Sequence, residues 1–199
     1  MQRLILARHG ESEYSARGLL NGDPAVAVGL TERGREEALR LGGELAGEPL
    51  DLAVHTGFLR TRSTLELVLA GRDGVPVLEE PRLADPGAGD FEGHTLDEYR
   101  AWAWTADSRA AAPGGGESRL AVVERYAAAY RGLLDRSERT ILVVLHALPI
   151  AYVLIALEGE PPRTRMDVRV DYARPHLLDA GELERTLAVL EGWCAAPTW

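Results

Sequence analysis

Three short apolar runs constrain this chain most: "LILA" at 4–7, "LDLAVH" at 50–55 and "TILVVLH" at 140–146. Each is short and nearly continuous in apolar residues, the pattern of a strand covered on both faces. Helical stretches lie between and after them. Thr31 opens "TERGREEALRLGGELAG", whose Ala38, Leu39, Leu41, Leu45 and Ala46 suit a partly buried face, and Gly47 and Pro49 stop it. "FLRTRSTLELVLAG" (58–71), "TLDEYRAWAW", the stretch from Ser118 to Asp135 and "ALPIAYVLIAL" also read as helices, and "VPVLEE" reads as a further short strand. In the tail, "MDVRV", "HLLDA" and "RTLAVLE" read as shorter strand-like pieces. Alternating strand and helix predicts an α/β fold in three layers, a mostly parallel central sheet flanked by helices. With no internal repeat and no linker, residues 1–199 are expected to form a single domain.

The ends of those strands are polar. Arg8 and His9 follow the first, His55 ends the second and His146 follows "TILVVL". In sheets of this kind ligands bind beyond the carboxyl ends of the strands. Arg60 falls early in the helix after the second strand, and Asp85 in the loop "ADPGAG". Two arginines and two histidines converging there would make a pocket for a phosphate dianion. The planar guanidinium fork binds tetrahedral oxyanions with paired, charge-assisted hydrogen bonds. A histidine with one unprotonated ring nitrogen can attack phosphorus, and a nearby carboxylic acid can protonate the leaving alkoxide. Protein side chains already supply the positive charge, so neither a metal nor another cofactor is expected.

Composition narrows the partners. A net charge of −9 disfavours a general nucleic-acid or membrane-surface binder, since phosphate-rich polymers and anionic lipids need a basic face. It leaves a small anionic substrate open, because such a ligand feels the local field of its pocket. The one cysteine, Cys194, excludes an intrachain disulfide and a cysteine-built metal site. The apolar run after Arg3 is too short for a secretory signal, and no stretch reaches transmembrane length, so a cytoplasmic location is expected. The oligomeric state, homodimer included, is left open.

In order along the chain, "ARHGESEY", "NGDPAVAVGLTERGREEA", "HTGFLRTRST", "LADPGAGDFEG", "PGGGES" and "VVLHALPI" resemble segments of the histidine phosphatase superfamily, phosphoglycerate mutase-like branch. The resemblance runs from residue 4 to about 156. It implies a phosphoglycerate mutase-like fold and a phosphomonoesterase acting on a small phosphorylated metabolite. By the same resemblance His9 is the phosphate-accepting nucleophile. Arg8, Arg60 and His146 hold the phosphoryl oxygens, and Asp85 is the proton donor. Ser15, Asn21, Gly22 and Ala147 are candidate substrate contacts, the last through the N–H groups that open a helix.

Some positions depart from the family pattern. Ser15 stands where an asparagine ligand is common, so Asn21 or the Ser15 hydroxyl is expected to substitute. His55, Thr56 and Gly57 replace the usual Ser-Ser-Asp, and Ala147 replaces a glycine. Asp85 for glutamate matters most, because one methylene less retracts the acid. Glu92, in "FEG", is its competitor and reads better as a support for the loop. Trp102 and Trp104 read as packing residues, His94 and His176 as surface residues. Two other readings stand beside hydrolysis: phosphoglycerate mutase-type transfer, whose enzymes are usually longer, and a silent member that binds phosphorylated ligands. Nothing in the sequence selects the natural substrate.

Overall fold

In the computed structural model, which describes residues 1–166 and 168–199, a sheet of five strands carries helices on both faces. The strands are β1 (Arg3–Arg8), β2 (Leu52–His55), β3 (Val77–Glu79), β4 (Thr140–Leu145) and β5 (Pro175–Asp179). The helices are α1 (Glu13–Ala16), α2 (Glu32–Glu44), α3 (Leu59–Val68), α4 (Leu96–Ala103), α5 (Arg119–Leu134), α6 (Ala147–Leu157) and α7 (Ala180–Ala195). The strand order is β3-β2-β4-β1-β5, with β5 antiparallel to β1 and the other pairs parallel.

The unbroken apolar runs follow from this layering. Leu4 and Leu6 of β1 and Ile141, Val143 and Leu145 of β4 enter the core on one face of the sheet, packing with α5, α6 and α7. Ile5 and Ala7, with Leu142 and Val144, enter the second core, against α2 and α3. A strand covered on both faces has no polar side, so periodicity two vanishes from its sequence. The helices start where polar caps allow. Thr31 accepts from the Gly34 N–H, and Ser118 from that of Ala121. Thr95 and Glu98 close a capping box before α4.

The tail corrects two expectations. "RTLAVLE" is not a strand but the middle of α7. Asp179 and Glu182 form a capping box at its start, and Leu183, Thr186, Leu187, Leu190 and Trp193 recur at helical spacing on the buried face. "MDVRV" forms no strand over its described residues, 166 and 168–170; Asp167 lies outside them. "HLLDA" does contribute a strand, β5. His176 lies within β5, half-buried, and its Nε2 has no partner among the described residues, so it is not the surface residue expected. Among the described residues no helix is long and apolar enough to cross a membrane.

Candidate active site

β2, β4 and β1 are neighbours and parallel, so their carboxyl ends open on one rim, where His55-Thr56, His146 and Arg8-His9 emerge. Arg60 reaches the same rim from the first turn of α3. A pocket of about 340 Å³ opens there, lined by Arg8, His9, Arg60 and Asp85 among others. Ser15, Asn21, Gly22 and Ala147 line it too. His146 is fully buried behind it, its ring centroid 5.3 Å from that of His9.

The His9 ring is fixed by its own loop. Nδ1 lies 2.7 Å from the Gly10 carbonyl, so this nitrogen carries the proton and Nε2 keeps a lone pair. Burial first, then the charges of Arg60, His146 and Arg8, hold its pKa well below the ordinary histidine value, which keeps the ring neutral. The loop after His9 is held in turn. Gly10 N–H donates to Thr64 Oγ1 (3.0 Å), and Glu11 N–H donates to the buried Glu37 carboxylate (2.9 Å). Gly10 packs directly on the backbone of Gly34 in α2, where a Cβ would collide with the Gly34 carbonyl; only glycine permits this approach.

Two arginines supply the fixed charge. Arg60 is 3% exposed and donates to Asn21 Oδ1 (2.5 Å), the Asn21 carbonyl (3.0 Å) and Asp85 Oδ2 (2.9 Å). The Arg8 guanidinium lies 3.7 Å from the centroid of the Tyr172 ring and donates to the Val170 carbonyl (2.9 Å). Its Nε is buried without a partner among the described residues, a donor that an incoming oxyanion would satisfy. Tyr172 and Thr56 were not foreseen. Tyr172 comes from an irregular segment with no motif, and its ring also faces His9 at 6.0 Å. Thr56 Oγ1 lies 2.8 Å from His146 Nε2.

His146 and Asp85 form a coupled pair. The His146 Nδ1 is 2.9 Å from Asp85 Oδ2. Burial pushes the His146 pKa down to about 4 despite the opposing pull of Asp85, so the ring is neutral at neutral pH. Its Nδ1–H then donates to Asp85, and Nε2 accepts from the Thr56 hydroxyl. Burial alone would raise the Asp85 pKa, but His146 and Arg60 hold its carboxyl well below the usual carboxylate range. Asp85 is therefore an anion resting on the Arg60 guanidinium and the neutral His146 ring.

The loop carrying Asp85 is strapped from several sides. Arg125 donates to the carbonyls of Arg82 (2.7 Å), Ala84 (2.9 Å) and Asp85 (3.2 Å), and the Tyr126 hydroxyl donates to Ala84 O (2.8 Å). Glu92 accepts from Ala88 N–H (2.9 Å) and Gly22 N–H (2.8 Å), the loop support expected of it. Glu117, in "PGGGES", accepts from Gly87 N–H (2.8 Å) while paired with Arg125 at 2.7 Å. That segment buttresses the acid loop; it is absent from the pocket lining.

Three of the candidate contacts, all on the pocket lining, also have partners within the protein. The Gly22 N–H is taken by Glu92 and is not free for substrate. Asn21 does not offer its amide outward; Oδ1 orients Arg60 and Nδ2 donates to the Asp23 carbonyl (2.9 Å). The Ser15 hydroxyl shares a hydrogen bond with Ser12 at 2.9 Å. Ala147 keeps its place at the pocket, at the start of α6, where no side chain caps the helix. His55 stays outside the pocket lining, accepting from Gly57 N–H (3.0 Å). Trp102 packs on Phe91 and Tyr99, whereas Trp104 lines the pocket.

The model of the histidine phosphatase superfamily (branch 1) matches residues 4–191. The chain belongs to that superfamily. It is similar to a glucosyl-3-phosphoglycerate phosphatase of Mycolicibacterium vanbaalenii, 33% identical over 175 residues covering 81% of this chain and 76% of the relative. A 2,3-bisphosphoglycerate-dependent phosphoglycerate mutase of Xanthobacter autotrophicus is 34% identical over 189 residues, covering 86% and 88%. Among solved structures, the alpha-ribazole phosphatase from Shigella flexneri superimposes with a TM-score of 0.76 at 30% identity, covering 89% of this chain and 90% of that one. Like the phosphatases of this superfamily, the chain is an enzyme.

Proposed function

We propose that the protein is a phosphomonoesterase that hydrolyses a small phosphorylated metabolite through a phosphohistidine on His9. The observation that carries this reading is the neutral His9 ring, Nδ1 tied to Gly10 O, in one pocket with Arg8, Arg60 and Asp85 and backed by His146. The substrate phosphate displaces the Asp85 carboxylate from Arg60 and His146. Its dianionic charge beside Asp85, now without those partners, raises the affinity of the carboxyl for a proton, which it takes up from solvent as the substrate enters. His9 Nε2 attacks phosphorus, the bond to the ester oxygen breaks, and Asp85 donates its proton to that oxygen so that an alcohol leaves. Arg8, Arg60 and the His146 Nδ1–H stabilise the charge on the equatorial oxygens. Water then attacks phosphohistidine while Asp85 takes its proton, releasing phosphate and restoring both residues.

The test is phosphoenzyme trapping together with a variant. Brief exposure to labelled substrate followed by an alkaline quench should give a base-stable, acid-labile label on the wild type. His9→Ala should fold, carry no label and lose turnover by several orders of magnitude. A His9→Ala protein that hydrolyses p-nitrophenyl phosphate near the wild-type rate would sink the mechanism. Transfer of the label to phosphoglycerate rather than water would assign mutase chemistry instead.

A further inference from the structure

One stretch at the pocket has no scaffold of its own. Residues 161–166, between α6 and β5, form neither helix nor strand, and among the described residues no backbone–backbone hydrogen bond reaches them. Yet Met166 lines the pocket, and the Arg165 guanidinium lies 4.7 Å from the ring centroid of Trp104, which lines it too. Three successive carbonyls of this stretch accept from side chains instead. Trp199 Nε1–H donates to Pro162 O (3.2 Å), and Arg119 donates to the carbonyls of Thr164 (3.0 Å) and Arg163 (3.4 Å). Arg119 lines the pocket and also donates to Ala103 O (3.4 Å), at the end of α4. The two donors meet: the Arg119 guanidinium lies 5.3 Å from the Trp199 ring centroid, and that ring packs on buried Trp193 of α7 at 5.4 Å. The Trp199 backbone is pinned as well. Its carbonyl accepts from the N–H (3.3 Å) and the hydroxyl of Ser108, a fully buried residue whose own carbonyl accepts from Leu120 N–H (2.9 Å) in the first turn of α5.

We propose that Trp199 is a positioning residue of the active site: it fixes residues 161–166 and the Arg119 side chain, and so sets affinity for the part of the substrate beyond the phosphate. The last step rests on the phosphomonoesterase reading above. Trp199 itself is absent from the pocket lining, so it acts through the residues it holds. An irregular stretch without backbone partners opens locally at low cost unless side chains hold it. Here an aromatic ring supplies the hold, through burial against Trp193, a cation on its face and its N–H on Pro162. A wall already in place spares the substrate the cost of ordering it on binding. The phosphate end does not draw on this contact. His9 is fixed by the Gly10 carbonyl and Arg60 by Asn21, both far from it in the chain. Loss of the indole should therefore weaken the grip on the alcohol portion of an ester and spare the grip on its phosphate.

The experiment reads Trp199→Ala in two ways. Hydrogen–deuterium exchange in peptides covering residues 160–166 should speed up at least about tenfold, with β1 and β4 unchanged. KM for 1-naphthyl phosphate, whose bicyclic group extends past the phosphate site, should rise about tenfold, while kcat and the calorimetric Kd of inorganic phosphate stay within about twofold. Trp199→Phe, which keeps a ring between Trp193 and Arg119, should recover most of both effects. Unchanged exchange at 160–166, an unmoved KM or no recovery in Trp199→Phe would overturn the inference. Faster exchange in β1 and β4, or weaker phosphate binding, would overturn it too, because the ring would then support the fold as a whole. Failure of the wild type to turn over any ester, p-nitrophenyl phosphate included, would overturn the phosphomonoesterase reading, while the exchange result would still judge the positioning.

Discussion

Replacing Asp85 by asparagine separates two roles that the empty pocket superimposes on one carboxylate. Its Oδ2 accepts from Arg60 Nη2 at 2.9 Å and lies 2.9 Å from His146 Nδ1, so Asp85 competes with phosphate for both donors. A charge-assisted hydrogen bond contributes about 1.5–3 kcal/mol. Counting only one of the two, at the lower end, removing the charge should tighten binding of inorganic phosphate by about 1.5 kcal/mol, roughly tenfold in Kd. The same substitution removes the proton donor. Hydrolysis of alkyl phosphates should fall about 10²- to 10⁴-fold, while p-nitrophenyl phosphate, whose leaving group barely needs a proton, should be largely spared. Calorimetric titration with phosphate at neutral pH reads the first effect, and initial rates on paired substrates read the second. An unchanged or weaker phosphate Kd would refute the competition. Equal losses on both ester types would refute the acid role and turn the search to Glu92.

Two further outcomes follow from the groups around His146. Thr56→Val should remove the hydrogen bond on Nε2 and lower kcat about tenfold with KM for p-nitrophenyl phosphate little changed, while Thr56→Ser restores kcat; loss of KM alone would contradict a role in orienting the ring. Because His146 has its pKa lowered to about 4 in the fold, the unfolded chain binds more protons below about 6.5, and stability should fall as pH drops through that window. The full loss is on the order of 3 kcal/mol. Urea unfolding at pH 7 and pH 4.5 checks it, and His146→Gln should shrink the difference, with buried His9 supplying part of the remainder.

Much of this was legible because the strands end in unusual residues. An apolar run terminating in Arg8-His9 or in His146 puts costly groups where nothing apolar explains them, and parallel pairing of β1, β4 and β2 brings those ends together. The sheet was readable for the same reason: covered strands are uniformly apolar. α7 was misread because Leu, Val and Ala in "RTLAVLE" fit either period over so short a window; the signal that decides it is the Asp179–Glu182 capping box just upstream. Tyr172 carried no signal, since it belongs to an irregular segment; Thr56 lies inside a matched segment, but its place beside His146 follows only from the geometry. What no spacing could supply is charge state. The motif puts a carboxyl group at position 85, yet only geometry puts its oxygen on Arg60 and His146. The proposed acid, which must be protonated to donate, is thereby held ionised, and in the proposed mechanism it stays so until a more highly charged anion takes its place. In the proposed mechanism proton donation is thus tied to occupancy of the phosphate site, and the shorter aspartate, seated on the Arg60 guanidinium and the His146 ring, is what makes the exchange local.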